Sequence, residues 1–571
     1  MAEPLLEPGS PTPITGPSAD SKAVPARQPT PVGLFFKCYG SMLARILWWG
    51  VLVFAFCLVW IAGHRGLYFQ DQSMIFDGAW RIYCGQVPYR DLIMPFGPVA
   101  FLVQWVFFKI FGVNYSATVL SAAVLNVLAT VIVLRLAGLF TGSKWLSLGA
   151  GTLTAALFQA PFGTLWLEQT GFFFDLVSLW LIVEGARYER HSSRLHFTAG
   201  VALAFAALAK QNAGTYFLPV VGLVLVFLGW HSVTSQPLRR VLVNAGVFTT
   251  GFGAALGLFL LWVVLFSDWP TFYRHAVEIP WELGRMRVDA VTPGRIFFLQ
   301  ARQPYKTACL IGLAGLLGCC LVQLLSARTC RDVPWRSSQL NALLAVLLTV
   351  FQRVFIATTL NDPENAVGFA GLTVATGCAG AWATVSVVFR DRLGTFVNRV
   401  VSAGVALIVI AGSVLGVHWS MNRIVQEFVG AKFEQRVNIP PASRLYWGDP
   451  TVPGVRRTDF EDVFRYLTER SGSFFVFPDA SILYGLTGKV PPQPFLYFQG
   501  DHIFRAADMV RVDRLVLDGL QKNDVRTFVY EDPTLHGFQR ILDDLPATRG
   551  WLNHNFVQVR NFGIFHIYER R

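Results

Sequence analysis

HRGLYFQDQSMIFDGAWRIYCGQVPYRDLIMPFGP, running from His64 to Pro98, is the stretch whose reading decides the fold. An apolar run ends just before it and another begins at Val99. Asp71, Asp77, Arg90 and Asp91 lie inside it, and such charges are costly in hydrocarbon. A polar interval between two greasy flanks reads as a loop at a membrane surface. Asp71 stands shortly after the first run, beside Tyr68, Phe69, Met74, Ile75 and Phe76. Apolar neighbours desolvate a carboxylate, raise its pKa and make it a better proton acceptor. The rival reading is helix capping, in which an Asp before a helix satisfies free amides and favours the dipole. Asp77 sits well round a helix from Asp71, so the two make no same-face pair, and Asp77 reads as structural.

Outward from this loop the chain is mostly apolar. Of 571 residues, 53% are hydrophobic and 15% charged, with a mean hydropathy of +0.45. Soluble domains carry roughly 25% charged residues. Apolar runs fall at about 44–63, 115–140, 145–161, 169–186, 195–213, 214–230, 241–267, 305–326, 337–358, 366–389 and 399–418. They predict a polytopic α-helical membrane protein of about eleven spans. The run from Val99 to Gly112 is too short to cross and suits an interfacial or re-entrant helix. If it does not cross, the basic residues Lys144, Arg187, Arg190, Arg194, Arg239, Arg240, Arg328, Arg331, Arg336, Arg390, Arg392 and Arg399 share one side. The opposite loops near 162–168 and 359–365 hold no Lys or Arg. The positive-inside rule then puts the N-terminus in the cytoplasm and the C-terminus outside a plasma (inner) membrane. The net charge of +12 is read as these loops, and nucleic acid is not expected as a partner.

The expected domains are a disordered, Pro/Ser-rich leader over 1–33, a transmembrane region over 34–420, and an extracytoplasmic α/β domain over 421–571. External loops cover 64–114 and 268–304. In the tail, 459–470 and 513–523 have helical spacing, while 473–477 and 525–531 read as strands. Residues 556–570 read as a hairpin around Asn561-Phe562-Gly563. Its aromatic and β-branched positions predict a core of its own. The eight cysteines show neither zinc-type nor disulfide-type spacing.

Other candidates for chemistry are charged residues at the outer ends of spans. Glu168 opens the fourth apolar stretch, where a carboxylate has little reason to stand unless it faces a cavity. Lys210, in AALAKQNAG, ends a span and either holds a phosphate or snorkels to headgroups. Tyr89-Arg90-Asp91 follows the turn residues Gly85 and Pro88, and Arg90 either pairs with Asp91 or reaches a phosphate. Arg285 and Arg287, in loop 268–304, are either an anion site or snorkelling residues. His502, beside Asp501, is a weaker candidate in the tail. No Ser-His-Asp set, phosphate loop or zinc motif is present.

The combination of a span, an outer Asp, Gly-Gln-Val-Pro-Tyr-Arg-Asp, a Pro-Gly element and a short apolar run resembles the first external loop of the GT-C glycosyltransferases. It is most similar to the protein O-mannosyltransferases and the aminoarabinose transferases. LAKQNAG and ILYGLTGKVPPQPF look like a span end and a membrane-proximal tail segment of the same group. The resemblance implies transfer of a sugar, with inversion, from a polyprenyl-phosphate donor to a lipid, glycan or protein acceptor on the extracytoplasmic face. Asp71 would be the catalytic carboxylate and Glu168 the second acid. Arg90, Lys210 or an arginine of 268–304 would contact the donor phosphate. Many relatives carry an Asp-Glu pair in this loop. Here Gln72 replaces the Glu, which puts a two-carboxylate or metal role in doubt, and a divalent cation stays open. The other readings are a transporter or flippase of lipid-linked intermediates and a non-catalytic membrane scaffold.

Overall fold

A computed structural model describes residues 31–67, 69–230, 237–289, 338–359, 367–388, 394–422, 431–447, 455–496, 498, 508–532 and 542–571. Residues 1–30 of the expected leader, the apolar run at 305–326 and His502 lie outside the described residues, while 31–33, expected to be disordered, open a helix. The chain divides into two units, 1–47 and 48–571. The first contributes the opening part of α1 (Pro31–Gly63), a helix that begins well ahead of its apolar run. All other elements belong to the second unit.

After α1 come α2 (Phe69–Tyr83), α3 (Val99–Phe111), α4 (Tyr115–Thr141), α5 (Lys144–Leu157), α6 (Leu167–Arg187), α7 (Ser192–Ala209), α8 (Gln211–Trp230) and α9 (Pro237–Phe266). A short α10 (Trp269–Phe272) leads through a π turn (Tyr273–Glu278) into α11 (Ile279–Asp289). Then follow α12 (Ser338–Thr359), α13 (Ala370–Val388) and α14 (Gly394–Asn422). Local chemistry sets several boundaries. Asn114 caps α4 by accepting from the Ala117 amide, and left-handed Gly142 ends that helix. Ser143 caps α5 through the Leu146 amide. Asp268 caps α10 through Thr271.

This is a multi-pass membrane protein. Among the described residues, seven helices are long and apolar enough to cross a bilayer, fewer than the eleven expected. Two expected spans are shorter than their runs suggested. α5 has 14 residues, and 367–383 is the apolar part of the α13 region. At 1.5 Å per residue, α5 reaches only about 21 Å. α6 has the length but carries Glu168, Asp175, Glu184 and Arg187. α3, with 13 residues, is likewise too short to cross. Aromatic rings of α6, α8, α12 and the turn before α13 pack edge to face at the centre of the bundle: Phe172, Phe217, Phe351, Phe355 and Phe369.

The C-terminal region holds a two-stranded ribbon, β1 (Gln435–Arg436) and β2 (Tyr446–Trp447). It continues with α15 (Arg457–Glu469), β3 (Ser473–Phe477), α16 (Ile482–Thr487), α17 (Met509–Lys522), β4 (Val525–Glu531), α18 (Pro546–Asn555), β5 (Phe556–Phe562) and β6 (Phe565–Arg570). The sheet order is β3-β4-β6-β5, with β3 and β4 parallel and the rest antiparallel. The hairpin turn falls at Gly563-Ile564, where Gly563 takes a positive φ. The mixed α/β reading of the tail therefore agrees with the structure.

The separate core does not. Buried Met74, Ile75 and Tyr89 of the first loop share one cluster with Phe475, Phe477, Phe495 and Phe528 of the tail. Phe69, Phe76 and Trp80 share another with Trp447, Phe460, Phe474 and Tyr484. The tail's apolar faces are completed by the loop, so the two fold as one body.

Candidate active site

The site begins where α1 ends. The Gly66 amide donates to the Tyr446 carbonyl (2.8 Å), and the Tyr446 amide donates to His64 (2.7 Å). β2 of the tail thus grips the lead-in to α2. Phe69 is then seated against Trp447, Phe460 and Phe565. Gln72 donates to the Phe162 carbonyl (3.0 Å) and accepts from the Tyr115 hydroxyl (3.4 Å). Phe69 and Gln72 are committed to these neighbours, and Asp71 between them feels the charges of Glu168 on α6 and Lys210 at the α7–α8 junction. Asp71 lies in the first turn of α2 rather than before it, so it is not the capping residue of the rival reading, although the dipole still favours it there.

Further along α2, Trp80 Nε1 donates to Lys489 O (2.9 Å). Arg81 is fully buried, and donates to Asp77 (2.8 Å), to Gln493 O (2.7 Å) and to Phe495 O (3.0 Å). Asp77 is structural, as its helical position suggested. Arg81 is the residue that sequence reasoning missed. On an amphipathic helix an arginine looks like a solvent-facing one, and only the fold reveals the two tail carbonyls waiting for it.

Glu168 occupies the first turn of α6, where the helix dipole favours an acid. Its Oε1 accepts from the ammonium of Lys210, and the two side chains are only 6% and 15% exposed. Lys210 sits in extended conformation at the C-terminal cap of α7, a break that lets α8 start at Gln211. The position favours a cation for the complementary reason. The expected snorkelling does not describe Lys210, which turns inward to Glu168 and lies 5.9 Å from the Phe355 ring. Gln211 Nε2 donates to Pro95 O (2.7 Å) and to Ala276 O (3.0 Å), tying the first loop to the π turn. π turns recur at functional sites.

Gly97 completes the wall. A Cβ there would lie 2.0 Å from the Leu208 carbonyl oxygen and 2.7 Å from its Cα, both backbone atoms. Gly97→Ala is therefore expected to push the loop off the end of α7 and to cost about 1–3 kcal/mol, read by thermal unfolding of the purified protein. An unchanged midpoint would mean that the loop is not held there.

Burial pushes the Asp71 carboxyl up to about 7, the Glu168 charge adds to the rise, and Lys210 opposes it. Three of the expected residues, Asp71, Glu168 and Lys210, are thus brought together. The others are placed elsewhere. Arg90 pairs with Asp91 (2.8 Å) on the surface, 52% exposed. Asp91 also accepts from the Val87 amide (2.9 Å) and so holds the turn. Tyr89, at positive φ, is buried, donates to Phe96 O (2.5 Å) and packs on Phe272. Its role is to anchor the loop. Arg285 is exposed on α11, and the side chain of Arg287 lies outside the described residues. In the same segment Arg274 grips Asp508 through two bonds of 2.9 Å and pairs with Glu278. No group of three His, Cys, Asp or Glu side chains that could hold a metal occurs among the described residues. The two site carboxylates have an ammonium beside them where a cation would need ligands, so the described residues do not fit a metal centre.

No protein-family model and no curated protein matches the sequence. Solved structures do. ArnT from Cupriavidus metallidurans bound to undecaprenyl phosphate aligns over 94% of this chain and 98% of its own, with a TM-score of 0.51 and 14% identity. The chain shares the fold of ArnT. Apo ArnT aligns over 91% of this chain and 97% of its own, with the same TM-score and identity. The archaeal oligosaccharyltransferase AglB from Archaeoglobus fulgidus, in complex with an inhibitory peptide and a dolichol-phosphate, aligns at a TM-score of 0.46 and 14% identity, over 94% of this chain and 75% of its own. The ArnT-like alignment runs through both the helical bundle and the tail, so the shared core of loop and tail belongs to the fold rather than to an appended module.

Proposed function

We propose that this protein is a membrane glycosyltransferase that moves a sugar from a polyprenyl-phosphate donor to a hydroxyl of a lipid, glycan or protein acceptor. The observation that carries the reading is Asp71 beside the Glu168–Lys210 pair, at the mouth of a helical bundle with the fold of ArnT. The ArnT structure was solved with undecaprenyl phosphate, and a ligand of that class suits this arrangement. A polyprenyl tail stays in the bilayer at about 0.8 kcal/mol per buried methylene, which delivers its phosphate to the interface. Asp71, as carboxylate, takes the proton of the acceptor hydroxyl, for which it must come within about 3 Å of it. Lys210 neutralises the charge that grows on the leaving phosphate. A base on one face of the sugar and a leaving phosphate on the other give inversion in a single displacement. By the distribution of basic loops, the reaction takes place on the extracytoplasmic face of the plasma membrane.

The test is mass spectrometry of lipids and surface glycans from cells with and without the protein. The reading expects one sugar to vanish from an acceptor while its polyprenyl-phosphate form accumulates; unchanged profiles refute it. A pH profile adds a sharper expectation. The active form of a base is the ionised one, so kcat/KM should fall about tenfold per unit as pH drops below about 7, the value to which Asp71 is pushed in the free protein. A rate that stays flat through that range would remove Asp71 from the role.

A further inference from the structure

α9 reaches the end of its span with its sides uncovered. Leu261, Val264, Leu265 and Phe266, in its last two turns, are exposed, and in a spanning helix such side chains face hydrocarbon. Only Ser267 and Asp268 separate it from α10, the π turn and α11. Along that segment exposure repeats every four residues. Trp269 (43%), Tyr273 (49%), Val277 (41%) and Trp281 (71%) are open, and exposed Arg285 is the next step. Phe272, His275, Ala276 and Ile279, between them, are buried. In a regular α-helix, steps of four overshoot the 3.6-residue turn by about 40° each, so the row would wind about 120° round the axis by Trp281. The π turn closes from i to i+5 and takes more residues per turn, so it winds the row back. Two tryptophans, a tyrosine and a valine are thereby kept in one line.

The buried face closes on the site. Phe272 packs edge to face on Tyr89 of the first loop (5.0 Å). His275 lies 6.4 Å from the Phe495 ring of the tail. The Ala276 carbonyl accepts from Gln211, the residue after Lys210 (3.0 Å). We infer that the row from Trp269 to Arg285 lies in the headgroup–acyl boundary of the leaflet in which α9 ends, and that the bilayer surface thus holds this wall of the site from behind. The chemistry commits the row to lipid rather than to a protein partner. It continues the lipid-facing side of α9 with two residues between. Tryptophan and tyrosine, apolar rings with a polar tip, gather at membrane–water interfaces. Arg285, one step beyond, can reach lipid phosphates with its guanidinium while its stem lies on the apolar side. A segment of this kind sinks its apolar face roughly 5–10 Å into the boundary. The inference rests on the multi-pass architecture and not on the sugar-transfer reading, so either can fail alone.

The experiment is tryptophan fluorescence of the full-length protein in nanodiscs of phosphatidylcholine brominated either near the headgroup end of the acyl chain or near its methyl end. The chain has 17 tryptophans, so the emission of Trp281 is taken as the difference between the unaltered protein and Trp281→Phe. That ring should lose about half of its emission to shallow bromines and little to deep ones. Trp269→Phe gives a second, independent reading of the same kind. Trp269→Ser with Trp281→Ser then removes the anchors and leaves the buried face unaltered. Amide hydrogen exchange of residues 273–279 should speed up by about tenfold or more in that variant. Rings quenched by neither lipid are covered by protein, whether a second copy or another segment of this chain, and overturn the inference. Quenching as strong by deep bromines as by shallow ones also overturns it, since the segment would then lie in the hydrocarbon. Shallow quenching with unchanged exchange removes the hold on the wall, and the inference falls with it. If neither phenylalanine variant folds, the rings are not surface groups and the inference is equally lost; where only the serine variant fails to fold, the quenching decides. None of these outcomes bears on sugar transfer.

Discussion

Asp71→Asn is expected to lower turnover by about a hundred- to ten-thousand-fold, the range over which a positioned general base acts. The protein should remain folded. Asparagine has the same shape, and the phenylalanine beside Asp71, not Asp71 itself, seats α2 against the tail. The sign of the stability change can be worked out. The folded pKa, about 7, lies above the ordinary carboxylate value, so folding binds a proton more readily than the unfolded chain does. Stability from this group falls as pH rises from about 4 to about 7 and is then constant. Above that window Asp71→Asn removes a charge that the fold disfavours, and the unfolding midpoint should hold or rise. Turnover in membrane vesicles and thermal unfolding in detergent measure the two effects. A scaffold would be indifferent to the change, so full retention of function would sink the enzymatic reading. Loss of function together with loss of folding would make Asp71 structural.

The second large effect concerns the seam between loop and tail. Arg81→Met is expected to destabilise the protein by about 3–5 kcal/mol, because it strips Asp77 of its partner inside the core. The carbonyls of Gln493 and Phe495 would lose their donors too. Arg81→Lys keeps the charge but cannot supply the planar fork, and should fall between the two. The double variant Asp77→Leu with Arg81→Met removes both buried charges and should recover part of the loss. Thermal unfolding monitored on the purified series gives the order. If Arg81→Met unfolds at the same temperature as the parent, the buried pair does not hold the seam.

Much of the architecture was legible in one dimension because hydrocarbon length and strand alternation are one-dimensional signals. The runs that became α4, α8 and α9 announce themselves by apolar length alone. SFFVF and VRTFVYE read as strands because little else suits such runs. The errors have physical reasons as well. The run at 145–161 looked long enough, but α5 stops at Leu157, and the chain then turns so that Gly163 can lie against Gly63. In the site, Asp71, Glu168 and Lys210 were each conspicuous as charges at helix ends. Their meeting was not, since more than forty residues separate Glu168 from Lys210 and nothing local pairs them. Tyr89-Arg90-Asp91, a candidate for contacting phosphate, holds a turn. Its backbone conformation sends Tyr89 into the core and leaves Arg90 at the surface.

The grip of the tail on the first loop has a consequence for biosynthesis. The ribosome makes residues 64–98 before the segments that steady them, around Tyr446, Lys489 and Phe495. A nascent chain already threaded into the bilayer would therefore carry an unassembled reaction centre until those segments were delivered. Maturation of the centre is thus timed by delivery of the tail rather than by insertion of the helices that precede it.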